Sequence, residues 1–299
     1  MSLELRSERP GDEDAIDAVN CRAFGSMDEP NIVRLMREHH PDFDPRYSIT
    51  AWDGGEMVGH ILLTPTRLRL MDETVRALAV GPVAVVPERQ GQGIGGQLLR
   101  HGHALGRENG FALASLFGHP EYYPRHGYEA CLGLAKVSID ADDLPEPSIT
   151  LRTMPVRKGD VAWIAAQHAE ELAGVDFGWV WGPRLNEWRL ACLNSMMWWT
   201  EDGRRAAYTL HDRLVLAEDA ALAREVIRAM RPEKLEHHPS GRLARQLEDN
   251  QWADFTVEAC EAGMACELQD GALEPYMEAV RAGDRPVGAT LFPLPFLAC

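Results

Sequence analysis

Between Arg89 and Gly96 the chain reads Arg-Gln-Gly-Gln-Gly-Ile-Gly-Gly, with four glycines in six positions, directly after the apolar run Ala77 to Val86. Helical spacing of Ile94, Leu98 and Leu105 follows. A helix that starts there presents unpaired N–H groups and a partial positive charge at its first turn. Glycines let an anion approach the backbone and permit positive φ. The segment is therefore read as a phosphate cradle. A second distinctive segment follows about thirty residues on, Tyr122-Tyr123-Pro124-Arg125-His126-Gly127-Tyr128, where Tyr122 to Arg125 reads as a further helical turn.

Two common phosphate loops fit poorly. A Walker A loop needs Gly-Lys-Ser/Thr, and Gly95-Gly96-Gln97 supplies neither the lysine nor the hydroxyl. Gly91-x-Gly93-x-x-Gly96 does match the Rossmann glycine pattern. That pattern belongs in an early β-α-β unit with an acid at the end of the next strand. Here several antiparallel-looking strands come first, and the next strand ends in Phe117-Gly118.

The elements that position these residues are legible from period and punctuation. Strands are expected at Leu3 to Leu5, Ser48 to Trp52, Met57 to Thr64 and Arg67 to Leu70, with a hairpin turn at Asp53-Gly54-Gly55. Helices are expected from Asp12 to Phe24 and from Asn31 to His39. The run Ala77 to Val86 reads as a strand buried on both faces, and Gly81-Pro82 within it predicts a bulge or splay, because Pro82 has no N–H to donate. The helix after the glycines should stop near Asn109-Gly110, before a strand from Phe111 to Phe117. The order is β-α-α-β-β-β-β-α-β, a mixed α/β (α+β) domain.

The strand ending Val83-Ala84-Val85-Val86-Pro87-Glu88 and the following Gln90-Gly91-Gln92-Gly93-Ile94-Gly95 together resemble the Gln/Arg-x-x-Gly-x-Gly/Ala signature of the GNAT (Gcn5-related) N-acetyltransferases. Tyr123, four residues before Gly127-Tyr128, resembles the family's second frequent mark. The resemblance covers roughly residues 3 to 140 and is nearest to the YhbS-like subgroup. It implies a central mixed sheet that splays and a cofactor, acetyl-CoA, whose pantetheine arm enters the gap. By the same resemblance, Val83, Ala84 and Val85 flank that arm, and backbone groups of Val83 and Val85 pair with its amides. The N–H of Val85 polarises the thioester carbonyl. Arg89, Gln90, Gly91, Gln92, Gly93, Ile94, Gly95 and Gly96 hold the pyrophosphate.

The implied reaction is direct attack of an amine, from a small molecule or a peptide, on the acetyl thioester. Tyr123 matches the family's usual general acid for the departing thiolate. From a free phenol near 10 to a free thiol near 8.5 that transfer is uphill by about 2 kcal/mol, and burial of the thiolate narrows the gap. Consecutive helical residues point about 100° apart, so Tyr123 is chosen over Tyr122 by its spacing to Gly127. No carboxylate lies between Ala77 and Val86 to serve as base. His119, Glu121, Asp28, Glu29, a water chain and the terminal carboxylate beyond the apolar stretch Leu291 to Cys299 compete for that role. An alternative is a catalytically silent acyl-CoA sensor or assembly module.

Ala141 to Ser148, rich in acids and proline, reads as a linker between a GNAT domain (1–140) and a second α+β module (149–299). Leu151-Arg152, Gly159-Asp160 and a helix from Val161 to Leu172 echo the start of the chain, as His238-Pro239 and a helix from Gly241 to Asn250 echo Gly118-His119-Pro120. A degenerate GNAT repeat without a glycine loop is expected, shaping the acceptor site or a subunit contact. Between the echoes come a hairpin, Ala206 to Ala217, and a helix, Asp219 to Met230. Seven of eight tryptophans follow residue 160, and Leu185, Trp188, Cys192, Met196 and Trp199 form a helical stripe. Core packing is the main reading of these aromatic residues, and a cation–π wall for the acceptor is the sharper one.

The net charge of −16 argues against a nucleic-acid partner; solubility is the main reading of it, and steering of a cationic acceptor is the sharper one. The six cysteines form no zinc spacing or disulfide framework, and adjacent pairs such as His39-His40 and His237-His238 make poor metal sites, so no metal is expected. Met1-Ser-Leu-Glu-Leu-Arg lacks the stretches of a signal peptide, and no apolar run suits a membrane helix. A cytoplasmic location is expected. A homo-oligomer stays open.

Overall fold

The turn Asp53-Gly54-Gly55 holds both glycines at positive φ, 59° and 88°, as a tight hairpin requires. It joins two strands at the heart of the computed structural model, which describes residues 3–188, 194–210, 214–232, 235 and 237–289. The first half runs β1 (Glu4–Ser7), α1 (Glu13–Phe24), α2 (Asp28–His39), β2 (Ser48–Asp53), β3 (Glu56–Leu70), β4 (Glu73–Val85), α3 (Ile94–Glu108), β5 (Leu113–Phe117), β6 (Glu129–Ala130) and β7 (Leu132–Ser138). It continues as β8 (Leu151–Pro155), α4 (Val161–Leu172), β9 (Phe177–Trp179), α5 (Leu185–Trp188), β10 (Ser195–Thr200), β11 (Arg205–Leu210) and β12 (Leu214–Ala217). The last elements are α6 (Ala220–Met230), α7 (Arg242–Asp249), β13 (Asp254–Ala259), β14 (Gly263–Glu267), α8 (Glu274–Ala282) and β15 (Gly288–Ala289).

The main sheet has the order β1-β2-β3-β4-β5-β14-β6, with β9 pairing on β3 beyond the end of β2. All its pairs are antiparallel except β4 with β5, which makes the sheet mixed. The segment Arg67 to Leu70, expected as a separate strand, is the far end of β3, since Thr64, Pro65 and Thr66 continue the ladder to β4 without a turn. Opposite Gly81-Pro82 the register steps from Ile61↔Val83 to Leu63↔Val80, so the expected irregularity is a β-bulge. α1 covers one face of the sheet, where Asn20 meets His60 at 3.0 Å. α3 covers the other, where Gly102 leaves room for the side chain of Leu63.

The second sheet, β12-β11-β10-β8, repeats the order β4-β3-β2-β1, and its flanking helices follow suit. α4 comes after β8 as α1 comes after β1, and α6 comes after β12 as α3 comes after β4. The echo therefore extends to topology. The entrance to α6 differs from that of α3: Asp219 folds its carboxylate onto the N–H of Leu222 at 2.8 Å, so the chain fills its own anion position.

The two halves are interleaved rather than strung in sequence. β14, from residues 263–267, lies between β5 and β6 of the main sheet, and β13 and β15 flank β7. One helical expectation is corrected. Among the described residues of the stretch from Leu185 to Trp199, only Leu185–Trp188 is helical; Cys192 lies outside the described residues, and Ser195–Thr200 is a strand. β10 is hydrogen-bonded on both sides, by β8 and β11, and that pairing overrides the 3.6-residue spacing of its apolar residues.

Candidate active site

β4 and β5 pair only from Ala77 to Ala79, against Leu113 to Ser115, and then part company. On its other edge β4 stays bonded to β3, and Val86 donates to the carbonyl of Val58 at 3.1 Å. Residues of an antiparallel strand alternate in the edge their amides serve. Ala84 and Val86 therefore face β3, while the N–H and C=O groups of Val83 and Val85 face the gap. A cleft of about 550 Å³ occupies that gap, lined by Val83, Val85 and Ile94, by the glycine loop, and by Tyr122 and Tyr123.

The loop closes the upper end of the cleft. Gly91 and Gly93 have φ of 74° and 77°, and a Cβ on either would touch no other protein atom, so within the protein itself it is backbone conformation that calls for glycine. Gly93 is the N-cap of α3 with no side-chain cap. The first helical bond is from Gln97 N to Gly93 O at 3.1 Å, so the N–H groups of Ile94, Gly95 and Gly96 have no acceptor among the described residues. Side chains brace this loop from outside. Arg89 pairs with Asp53 at 2.7 Å and donates to Gln92 at 2.9 Å, and Gln90 donates to the carbonyl of Val85 at 3.0 Å.

Gly95 and Gly96 serve a different purpose. A Cβ on Gly95 would lie 2.6 Å from the hydroxyl of Tyr122, and one on Gly96 would lie 2.6 Å from His126 Cε1. The missing side chains let the 3-10 turn Tyr123–His126 sit against the first turn of α3. Gly118 likewise yields its side-chain volume to the ring of Tyr123. The ring of Tyr122 meets Tyr123 edge-on at 5.1 Å and His126 at 4.9 Å. Burial and then the neighbouring Tyr122 push the Tyr123 phenol up to about 12, so it holds its proton at neutral pH. Its hydroxyl makes no hydrogen bond among the described residues.

Of the sequence-predicted site residues, Val83, Val85, Arg89, Gln90, Gly91, Gly93, Ile94, Gly95 and Tyr123 meet on the cleft. Ala84 is fully buried, and neither it nor Gln92 nor Gly96 lines the cleft. Tyr122 shares the cleft wall with Tyr123, because the turn is a 3-10 turn seated on α3 and not a helix exposing one face. Arg125 also lines it and was not singled out in the sequence. Its place is set by the packing of the turn on Gly95 and Gly96, a contact that no local sequence signal announces. Among the base candidates that lie in the described residues, only His119 lines the cleft. Glu29 accepts from Ser26 at 3.0 Å at the start of α2, and the tail from 290 on lies outside the described residues.

The tryptophans mostly build core. Trp179 and Trp188 are buried, and the Trp181 ring packs against Trp188 at a tilt of 53°, with centroids 5.5 Å apart. The faces of Trp199 and Trp252 are covered by Arg205 and Arg224, at 5.0 and 5.1 Å. Among the described residues no group of His, Cys, Asp or Glu is arranged to hold a metal ion, and no helix is long and apolar enough to cross a membrane.

A profile of the acetyltransferase (GNAT) domain matches residues 4–131. The chain is 38% identical over 122 residues to the uncharacterized N-acetyltransferase YjhQ of Escherichia coli K12, covering 41% of this chain and 67% of that protein. It is 30% identical over 125 residues to the uncharacterized N-acetyltransferase YhbS of the same organism, covering 42% and 72%. A GCN5-related N-acetyltransferase from Kribbella flavida shares the fold over 91% of this chain and 73% of its own, with TM-score 0.69 and 20% identity. The chain belongs to the GNAT acetyltransferase family. Within it, the family match spans residues 4–131, and the shared fold extends through the second half.

Proposed function

We propose that this protein transfers an acetyl group from acetyl-CoA to an amine by direct attack. The observation that carries the reading is the gap between β4 and β5. The backbone groups of Val83 and Val85 face a cleft whose upper end holds the acceptor-free N–H groups of Ile94, Gly95 and Gly96. That arrangement suits a long amide-bearing arm with a diphosphate at one end. The pantetheine amides would take the place of the missing strand pairing, and the Val85 N–H would meet the developing oxyanion. The loop from Arg89 to Gly96 would hold the diphosphate mainly through its main chain, since the guanidinium of Arg89 is engaged by Asp53.

Tyr123 would return a proton to the departing thiolate. With the phenol at about 12, transfer to a free thiol near 8.5 would be uphill by about 5 kcal/mol. The protein's own buried thiols show how far desolvation offsets this: burial pushes Cys131 up to about 12 and Cys266 up to about 11. A thiolate leaving inside the cleft would be raised by the same cause, which narrows the gap. The second half, with Asp219 over the entrance to α6, would shape the acceptor side or a subunit contact and bind no cofactor.

The test is thiol release from acetyl-CoA against a panel of spermidine, an aminoglycoside, a lysine peptide and a free peptide N-terminus. Tyr123→Phe should slow the best pair about a hundredfold. Unchanged turnover in that variant withdraws the acid role. Acetyl-CoA should also raise the melting temperature, whereas NAD should not, and a protein indifferent to acetyl-CoA removes the cofactor reading altogether. Binding without turnover on any amine would favour the silent sensor.

A further inference from the structure

His103 lies on α3, nine residues beyond its start and away from the cleft, and it is 4% exposed. Its Nε2 shares a hydrogen bond of 2.8 Å with the hydroxyl of Tyr128, which is 2% exposed. The ring of Tyr128 in turn meets that of Tyr123 edge-on, with centroids 5.5 Å apart and planes at 71°. The backbone N–H of Tyr128 also donates to the carbonyl of Tyr123 at 3.4 Å. Nothing in the proposed chemistry uses His103.

The turn that carries Tyr123 touches α3 near Gly95 and Gly96, through the rings of Tyr122 and His126. Those contacts are van der Waals and set distance without direction. The bond from His103 to Tyr128 is directional, and it is buried. A phenol at such depth without a partner costs about 1–3 kcal/mol, so the position of the Tyr128 ring is dictated by where His103 stands. That ring forms one wall beside Tyr123. We infer that His103 is a positioning residue, fixing the orientation of Tyr123 through Tyr128. The inference rests on the reading of Tyr123 as the group that meets the sulfur. Burial, with Arg107 and His126 adding to it, holds the imidazole down at about 4, so above that range it stays a neutral partner for the phenol.

The experiment uses the full chain with 3-fluorotyrosine incorporated and the Tyr123 fluorine line assigned by its loss in Tyr123→Phe. His103→Leu should shift or broaden that line and lower turnover with acetyl-CoA by about tenfold or more, with acetyl-CoA Kd changed less than about twofold. His103→Gln, which keeps a polar hydrogen of similar reach, should restore line and rate. Tyr128→Phe should reproduce His103→Leu, and the double variant should be no worse than either. An unmoved Tyr123 line in both His103→Leu and Tyr128→Phe overturns the inference. So does failure of the Gln variant to rescue. If His103→Leu does not fold, Tyr128→Phe, which loses one oxygen, decides the question. If Tyr123→Phe proves fully active, the acid role falls, while the fluorine line still reports on positioning.

Discussion

Gly95→Ala isolates what the second glycine pair does. The new methyl would lie 2.6 Å from the Tyr122 hydroxyl, where ordinary contact begins near 3.4 Å. The shortfall is about 0.8 Å, and the ring has little freedom to yield, held between Tyr123 and His126. Overpacking of this kind costs about 1–3 kcal/mol. A ring displaced by that distance enters the cleft and pushes on Tyr123. Misplacement of about 1 Å can cost a hundredfold in rate, so a loss of tens-fold in turnover is expected, with weakened acetyl-CoA binding.

Removing the offending oxygen should cure the defect. With Tyr122→Phe the nearest ring atom to the methyl is Tyr122 Cζ, at 3.7 Å, which is a normal contact. The Gly95→Ala/Tyr122→Phe double variant should therefore bind acetyl-CoA and melt like Tyr122→Phe alone, or slightly better, since alanine favours a helix over glycine by up to about 1 kcal/mol. Calorimetry for Kd, thermal melting and thiol release measure the cycle. If Gly95→Ala is harmless, or if Tyr122→Phe fails to rescue it, the packing of the tyrosine turn on α3 is misread.

Gly93→Ala should differ in kind. Its methyl meets nothing, and the strain of φ 77° should cost about 1 kcal/mol, visible in melting more than in rate. Asp219→Ala removes the cap on Leu222 and should lower stability by about 1 kcal/mol without changing acetyl-CoA affinity. Burial lowers His60 and His168 to about 3 and His237 to about 4, so the unfolded chain takes up their protons first. Stability should thus be lost as pH falls below the ordinary histidine value of 6.5, and a melting temperature flat from pH 7 to 5 would contradict this. Glu171 shows the opposite sign. Burial raises it to about 7, so stability is full below its ordinary value of 4.5 and declines as pH climbs to 7; Glu171→Gln should flatten that decline.

Local signals were sufficient for the parts of the site held by local structure. Gly91 and Gly93 betray a loop with positive φ, and Pro82 betrays a break in the ladder, because each is a constraint on its own backbone. The role of Gly95 and Gly96 was not legible, since what excludes their side chains is a turn some thirty residues away. Strand β10 was mistaken for helix because Trp188, Met196 and Trp199 happen to fall at helical spacing, and only its partners β8 and β11 reveal the true geometry. The insertion of β14 has no sequence signal at all. Nothing local in Gly263 to Glu267 points to its neighbours β5 and β6, which lie more than a hundred residues away.

That insertion bears on how the molecule can be made. As the polypeptide leaves the ribosome, β5 and β6 emerge with an empty lane between them, and the segment that fills it is synthesised more than a hundred residues later. The edge of Leu113–Phe117 that receives β14 has no partner strand throughout that interval, which is when strand-edge aggregation is a hazard. Expression that outruns chaperone supply should hurt this protein more than a relative that closes its sheet from its own first half.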